Sequence, residues 1–268
     1  MDMSDWLKLS GRSIVVTGGS SGIGKAIITS LLDLGVKVAN FDIHAPDLTH
    51  EHLLFAKTDV TNHQNVKQSI SAVVDQFGTI DGLVNNAGIN LPGLLIDEND
   101  AGGQYELNEV TYAKMMDINL KGTLFVSQEV ARILTEKKSG VIVNMSSESG
   151  LEGSEGQSVY AATKAAMNSL TRSWSKELAK HNVRVVGIAP GIMEATGLRT
   201  LDYETALAYT RNKTVDQLRA GYENVSAIPL GRSGKLSEVA DLVSYYLSDR
   251  ASYITGVTTN VSGGKTRG

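Results

Sequence analysis

From residue 13 to residue 261 the chain alternates short β-branched runs with longer stretches whose apolar residues recur at helical spacing. Few architectures accept that order. Successive strands separated by crossovers of a dozen or more residues pair in parallel, and the crossing helices then cover both faces of the sheet. The first unit is Ser13-Ile14-Val15-Val16-Thr17, a glycine-rich turn, and a helical stretch over 23–34 that Gly35 stops. Strands are predicted at 36–41, ending at Asp42, and at 53–57, ending at Asp59, with a helix over 62–77. Leu83-Val84 leads a fourth strand into Asn85-Asn86-Ala87-Gly88, and strands at 141–145, 183–189 and 257–261 each follow helical patterning. The expected fold is α/β: a Rossmann-type, doubly wound parallel sheet in a single domain spanning 1–268, with ligands at the carboxyl ends of its strands.

Two segments exceed ordinary connection lengths, 90–107 and 191–230. The second has helical patterning of its own around 203–207 and 215–218, and long ordered insertions beside a site usually cover substrate. No Pro- or Ser-rich linker divides the 268 residues.

Composition excludes several classes. With 41% hydrophobic and 20% charged residues the chain can bury a core, and a net charge of −4 leaves no basic footprint for nucleic acid or a membrane surface. Cysteine is absent, so neither disulfides nor thiolate metal sites are expected. The start of the chain carries no basic segment followed by an apolar run, and no stretch approaches the ~18 apolar residues of a membrane span. Sequons at Asn144 and Asn260 fall in predicted strands, where a glycan does not fit. These features favour a cytoplasmic protein. His44, His50, His52, His63 and His181 form no metal-ligand pattern, so no metal is expected.

The chemistry-bearing residues lie at predicted strand ends. Gly18, Gly22 and Gly24, with Ser20, Ser21 and Ile23 between and beside them, form the first strand-to-helix turn. Missing β-carbons there let a pyrophosphate reach backbone N–H groups and a helix N-terminus. Asp42 ends the second strand eighteen residues beyond Gly24, where a carboxylate hydrogen-bonds ribose hydroxyls and repels a 2′-phosphate, which favours NAD. Asp59 and Val60 end the third strand and are placed for adenine; capping at the surface is the other reading of Asp59. Tyr160 and Lys164 are four apart on one helical face, so an ammonium can lie beside a phenol and favour its ionised form. Ser147 ends a strand thirteen residues earlier. A dinucleotide beside a proton-moving phenol specifies hydride transfer at a carbonyl carbon.

Thr17-Gly18, Gly22-Ile23-Gly24, Asn85-Asn86-Ala87-Gly88, Asn119, Ser147, Tyr160, Lys164 and Pro190-Gly191, in that order, resemble the classical short-chain dehydrogenase/reductase family along almost the whole chain. The resemblance implies that Tyr160 is the general acid/base, Lys164 lowers its pKa and holds nicotinamide-ribose hydroxyls, and Ser147 hydrogen-bonds the substrate oxygen. It implies that Asn119 holds a water in a proton relay, that Asn86, Ala87 and Gly88 line the cofactor cleft, and that Pro190, Gly191 and Ile192 face nicotinamide. It also implies a homotetramer. Thr196 stands later after Pro190-Gly191 than the threonine that usually meets the carboxamide.

Within the family the resemblance is nearest to members from sugar-alcohol operons. It is carried by Trp6-Leu7, by residues 146–157, 171–178 and 197–200, and by Gly263-Gly264-Lys265-Thr266-Arg267-Gly268. This implies NAD-dependent oxidation of D-sorbitol 6-phosphate to D-fructose 6-phosphate. Glu148, Glu152, Glu155, Gln157 and Asn90 are polar residues suited to a polyol, and Arg199 is the first candidate for its phosphate. Arg211, Lys213, Arg219, Lys265 and Arg267 are further cations. The alternatives are another NAD-dependent polyol, sugar or oxoacyl reductase, and a dinucleotide sensor without chemistry.

Overall fold

The computed structural model describes residues 6–197 and 199–266; Leu198, Arg267, Gly268 and the first five residues, on which parts of the sequence argument draw, lie outside them. Seven strands form one sheet: β1 (Ser13–Thr17), β2 (Lys37–Asp42), β3 (Leu53–Lys57), β4 (Gly82–Asn85), β5 (Gly140–Met145), β6 (Val183–Pro190) and β7 (Thr258–Val261). Their order is β3-β2-β1-β4-β5-β6-β7, and every neighbouring pair is parallel. The chain winds outward from β1 to β3, then returns to the other side of β1 with β4. That reversal opens a crevice at the carboxyl ends of β1 and β4.

Strand residues alternate between two apolar layers, and both are sealed. Ile14 and Val16 of β1 face one layer, with Ile27 and Leu31 of α1 (Gly22–Asp33) and Val239 and Val243 of α9 (Leu236–Leu247). Val15 faces the other, with Val66 and Val73 of α2 (His63–Phe77) and Val126 and Val130 of α4 (Thr123–Lys137). Burial on both faces explains why these strands read as continuous β-branched runs.

A buried polar chain ties the middle of the sheet together. Asn85 of β4 donates to Ser127 of α4 and to Asn144 of β5 at 2.9 Å each, and Asn144 donates to Thr171 of α6 (Ser158–Leu178) at 3.0 Å. Asn144 and Asn260 lie in β5 and β7, as the sequence predicts for both sequons.

Helix ends follow local chemistry. Asn62 caps α2 by accepting from the Asn65 N–H, and Gly78 ends it in the left-handed region. Asn108 and Thr111 cap α3 (Glu109–Met116), which runs through a π-helical turn, Asp117–Gly122, into α4. The long insertion after β6 contains α7 (Leu201–Thr210) and α8 (Val215–Glu223), started by Thr200 and Thr214, around a small core of Leu207, Ala208 and Leu218. Both helices extend beyond the predicted patterning. The short α5 (Ser149–Glu152) and the π turn were not expected from sequence.

Two glycine substitutions separate close approach from mere helix cost. A β-carbon on Gly24 would collide with the Gly18 carbonyl oxygen and the Asn86 side chain, whereas one on Gly221 in α8 meets nothing within 4 Å. Gly24→Ala is expected to lower the unfolding free energy by ~1–3 kcal/mol, and Gly221→Ala to raise it by ~0.4–1 kcal/mol. Urea denaturation of the two variants checks the contrast.

Candidate active site

The end of β1 is joined to the end of β4 by side chains. Thr17 Oγ1 accepts from the N–H groups of Asn86 and Ala87 at 3.0 Å each, and Asn86 Nδ2 donates to the carbonyls of Thr17 (3.1 Å) and Gly18 (2.9 Å). Gly18 and Gly22 have positive φ, +65° and +53°, and a β-carbon on Gly18 would stand 2.8 Å from Ala87 Cα. Only glycine lets these two turns touch. Ser21 is the N-cap of α1 without a side-chain cap, and the first turn of α1 has no acidic residue. No side-chain cap and no first-turn carboxylate compete for its leading N–H groups, which suits an anion.

A cleft of about 1090 Å³ runs from this turn to Tyr160. Of the predicted cofactor residues, Gly18, Ser21, Gly22, Ile23, Asp42, Asp59, Val60, Asn86, Ala87, Gly88, Tyr160, Lys164 and Pro190 line it. Ser20, Gly24, Gly191 and Ile192 do not: Gly24 lies under the turn, and the Ser20 hydroxyl is bonded to the His44 carbonyl (2.6 Å) and to Asn40 (3.0 Å). Asp42 accepts from the Ser20 and His44 N–H groups at 3.0 Å each, which fixes its carboxylate at the cleft wall. Asp59 folds back on Thr61, accepting from its N–H at 2.9 Å and its hydroxyl at 2.7 Å, so its carboxylate also caps the turn before α2. A glycine cradle and an uncapped helix start beside a wall carboxylate fit a dinucleotide.

At the other end, Tyr160 occupies the first turn of α6 and Lys164 the next. The Ser147 side chain lies beside the Tyr160 phenol, and its hydroxyl accepts from the Ser149 N–H at 3.2 Å. The neighbouring Ser146 hydroxyl instead donates to the Lys164 carbonyl at 3.1 Å. Lys164 Nζ donates to the Met145 carbonyl at 2.8 Å and stands 5.6 Å from the Tyr160 ring centroid. The expected depression of the phenol by the ammonium is not what this arrangement produces. Burial pushes Tyr160 up, with Ser147 pulling the other way, and burial also brings Lys164 down to about 8.

Asn119 sits in the π turn, and its side chain is fully occupied. Its Oδ1 accepts from the Ile89 N–H and its Nδ2 donates to the Ile89 carbonyl, both at 2.9 Å, with a further bond to Thr163 at 3.1 Å. The side chain therefore ties the strand-end loop to α6, and the Asn119 carbonyl accepts from the Thr123 hydroxyl at 3.0 Å.

The predicted substrate residues separate. Glu152 is exposed. Glu148 is closed against the C-terminal tail, accepting from Lys265 Nζ and Thr266 Oγ1 at 2.8 Å each. Lys265 is therefore spent on a carboxylate, as is Arg219, paired with Glu204 at 2.7 Å. Arg199 lies over the Tyr222 ring at 4.1 Å and donates to the Met193 carbonyl, while Arg211 donates to Ser154 Oγ at 3.1 Å. Neither has a carboxylate partner among the described residues. Gln157 donates to the Tyr203 hydroxyl at 2.8 Å, and burial raises Tyr203 to about 12. The Asn90 Oδ1 is buried without a partner. Tyr203 and Tyr222 carried no sequence signal, because their distance from Tyr160 along the chain is erased only by the folding of the insertion. Among the described residues no acidic or histidine cluster suits a metal, and no helix is long and apolar enough to cross a membrane.

A parallel seven-stranded sheet with this glycine turn and this Ser–Tyr–Lys group defines a nucleotide-binding oxidoreductase, and the chain belongs to the short chain dehydrogenase family, whose model matches residues 12–206. It is 61% identical to sorbitol-6-phosphate 2-dehydrogenase of Klebsiella pneumoniae over 268 residues, covering 99% of this chain and all of that protein. It is 35% identical to a 3-oxoacyl-[acyl-carrier-protein] reductase of Thermotoga maritima, with 96% and 99% covered. Aldohexose dehydrogenase of Thermoplasma acidophilum superposes with a TM-score of 0.82 at 28% identity, over 97% of this chain and 95% of that one.

Because the folded state holds a proton on Lys164 less tightly than the unfolded chain, the unfolded state binds more protons between pH 8 and 10.5. Stability linked to this residue therefore rises with pH through that window. Lys164→Met removes the buried charge. Its unfolding free energy relative to the native chain should be highest at pH 7 and decline steadily to pH 10.5, read as the difference between denaturant midpoints at matched pH.

Proposed function

We propose that the protein interconverts D-sorbitol 6-phosphate and D-fructose 6-phosphate with NAD. The single observation that carries this reading is the 61% identity, end to end, with an enzyme named for that substrate, around an intact reactive group. Gly18, Ser21, Gly22 and the start of α1 hold the pyrophosphate, Asp42 holds the ribose hydroxyls, and Lys164 and Pro190 border the nicotinamide end. The dinucleotide supplies the hydride acceptor for oxidation and the donor for reduction.

The chain's own residues move the proton. Ser147 donates a hydrogen bond to the oxygen at C2 of the polyol and holds it beside the phenol. Tyr160 takes the hydroxyl proton in oxidation and returns it in reduction. Its raised pKa suits the acid, and the base form is favoured once positive charge enters the cleft beside it. Lys164, near 8 when buried, passes the proton toward a water held at the π turn containing Asn119. Asp42, at the wall where a 2′-phosphate would lie, favours NAD over NADP.

A polyol phosphate also suits the covered side of the site. Tyr203, Gln157 and Asn90 present polar atoms, and Arg199 and Arg211 are cations not already neutralised by carboxylates. An acyl chain would be better served by an apolar lining. The protein is expected to work in the cytoplasm as a homotetramer, the assembly the family resemblance implies.

The direct test is NADH formation at 340 nm. Sorbitol 6-phosphate with NAD should be turned over far faster than free sorbitol, a 3-hydroxyacyl thioester, or the same substrate with NADP. Tyr160→Phe should retain less than a tenth of kcat with NADH binding almost unchanged, and greater retention rejects the assignment of the phenol.

Each guanidinium that meets the phosphate contributes ~1.5–3 kcal/mol, roughly ten- to a hundredfold in affinity. Arg199→Ala and Arg211→Ala are each expected to raise KM for sorbitol 6-phosphate by that factor, leaving the Kd for NADH and the weak turnover of free sorbitol as they were. A variant that keeps the native preference for the phosphorylated substrate removes that arginine from the clamp.

A further inference from the structure

Three loops from the carboxyl edge of the sheet meet at one carboxylate. Glu148, the residue after Ser147, donates its N–H to the Pro190 carbonyl at 3.0 Å, and Gly191 donates to the Val261 carbonyl at 3.0 Å. A β-carbon on Gly191 would lie 2.8 Å from Ser262 Cβ and 2.9 Å from Glu148 Oε2, so the loops after β5, β6 and β7 are in contact there. The tail closes over this point. Lys265 Nζ donates to Glu148 Oε1 and Thr266 Oγ1 to Glu148 Oε2, both at 2.8 Å, and the Thr266 N–H donates to Ser262 Oγ at 3.3 Å. Thr266 is buried, and the Glu148 side chain is only 16% exposed.

We propose that Lys265 is a positioning residue for the reaction. By neutralising Glu148 it keeps the loop that carries Ser147 seated against Pro190-Gly191, and it prevents a bare carboxylate from opposing the negative charge that develops at the reacting oxygen. The physical reason is the low polarisability of the site: an unpaired carboxylate this buried either repels nearby negative charge strongly or leaves its place. Ser147 from the end of β5, neutral Tyr203 from α7 and the Lys164 ammonium on its own helix lie near Tyr160. Only Lys164 among them carries charge, so the Glu148–Lys265 balance is not masked by a second acid. The proposal rests on the assignment of Ser147 and Tyr160 to the chemistry.

The test is the pH profile of kcat/KM for alcohol oxidation in the full-length protein and in Lys265→Met, Lys265→Arg and the double variant Glu148→Gln/Lys265→Met. Lys265→Met should lower kcat about tenfold and move the kinetic pKa upward by roughly one unit, because unbalanced negative charge disfavours the phenolate. Lys265→Arg should keep the native profile. The double variant, in which an amide in place of the carboxylate retains the shape and the bond to Thr266 without the charge, should return the pKa to the native value. A Lys265→Met profile that overlays the native one, or a double variant as displaced as the single, overturns the proposal. If Lys265→Met does not fold, the double variant alone decides by the same criterion. Ser147→Ala separates the two layers: substantial turnover in it rejects the serine assignment, whereas an inactive Ser147→Ala beside an unaltered Lys265→Met rejects only the role of Lys265.

Discussion

Everything in this site depends on how closely two backbone turns approach at the point where the sheet changes direction. The Thr17 hydroxyl accepts two N–H groups from the end of β4, and Asn86 returns two bonds to the end of β1. Such closeness requires glycine at position 18, since a β-carbon would strike Ala87. The same contact sets the width of the cleft and exposes the start of α1. An anion site and a floor for a flat ring system therefore arise from a single set of hydrogen bonds.

Desolvation is the dominant influence at the Tyr160 end of the cleft. Lys164 is buried and Tyr160 half-buried, and desolvation shifts them in opposite directions on the pH scale, the phenol up and the ammonium down to about 8. Two groups with ordinary values near 10 are thereby separated, which gives the pair an acid and a base at accessible pH. The ammonium reaches the backbone carbonyl of Met145 and stands 5.6 Å from the centre of the tyrosine ring. A π turn at Asn119 holds the facing loop at Ile89, a frequent arrangement where a helix must release backbone groups for function.

Around that pair the structure distributes charge sparingly. Arg219 is matched to Glu204 and Lys265 to Glu148, which leaves Arg199, Arg211 and Lys213 as cover cations without a carboxylate among the described residues, the two arginines near Tyr222. Tyr222 registers both, since each guanidinium pulls its phenol down against the upward push of burial. The helices α7 and α8 thus share a small core of their own, with Arg199 and Arg211 at the two ends of α7.

The strand–helix order, the glycine turn and the spacing of Ser147, Tyr160 and Lys164 were legible in the sequence because each is a local pattern with a local cause: β-branched runs, missing β-carbons, and the 3.6-residue helical repeat. What escaped it were properties of residues distant in the chain. Glu148 reads as a substrate ligand until the tail, more than a hundred residues later, folds back and takes both of its oxygens. The Lys164–Tyr160 pair reads as one in which the cation tunes the phenol, until burial proves the larger influence on each. Tyr203 has no marking at all before α7 packs it against Gln157. Sequence alone determined the sheet, the glycine turn and the spacing of Ser147, Tyr160 and Lys164, since local patterns along the chain suffice for these. Tertiary structure decided which charges remain free and how deeply the acid and base are buried, because desolvation and ion pairing depend on every segment that closes over them.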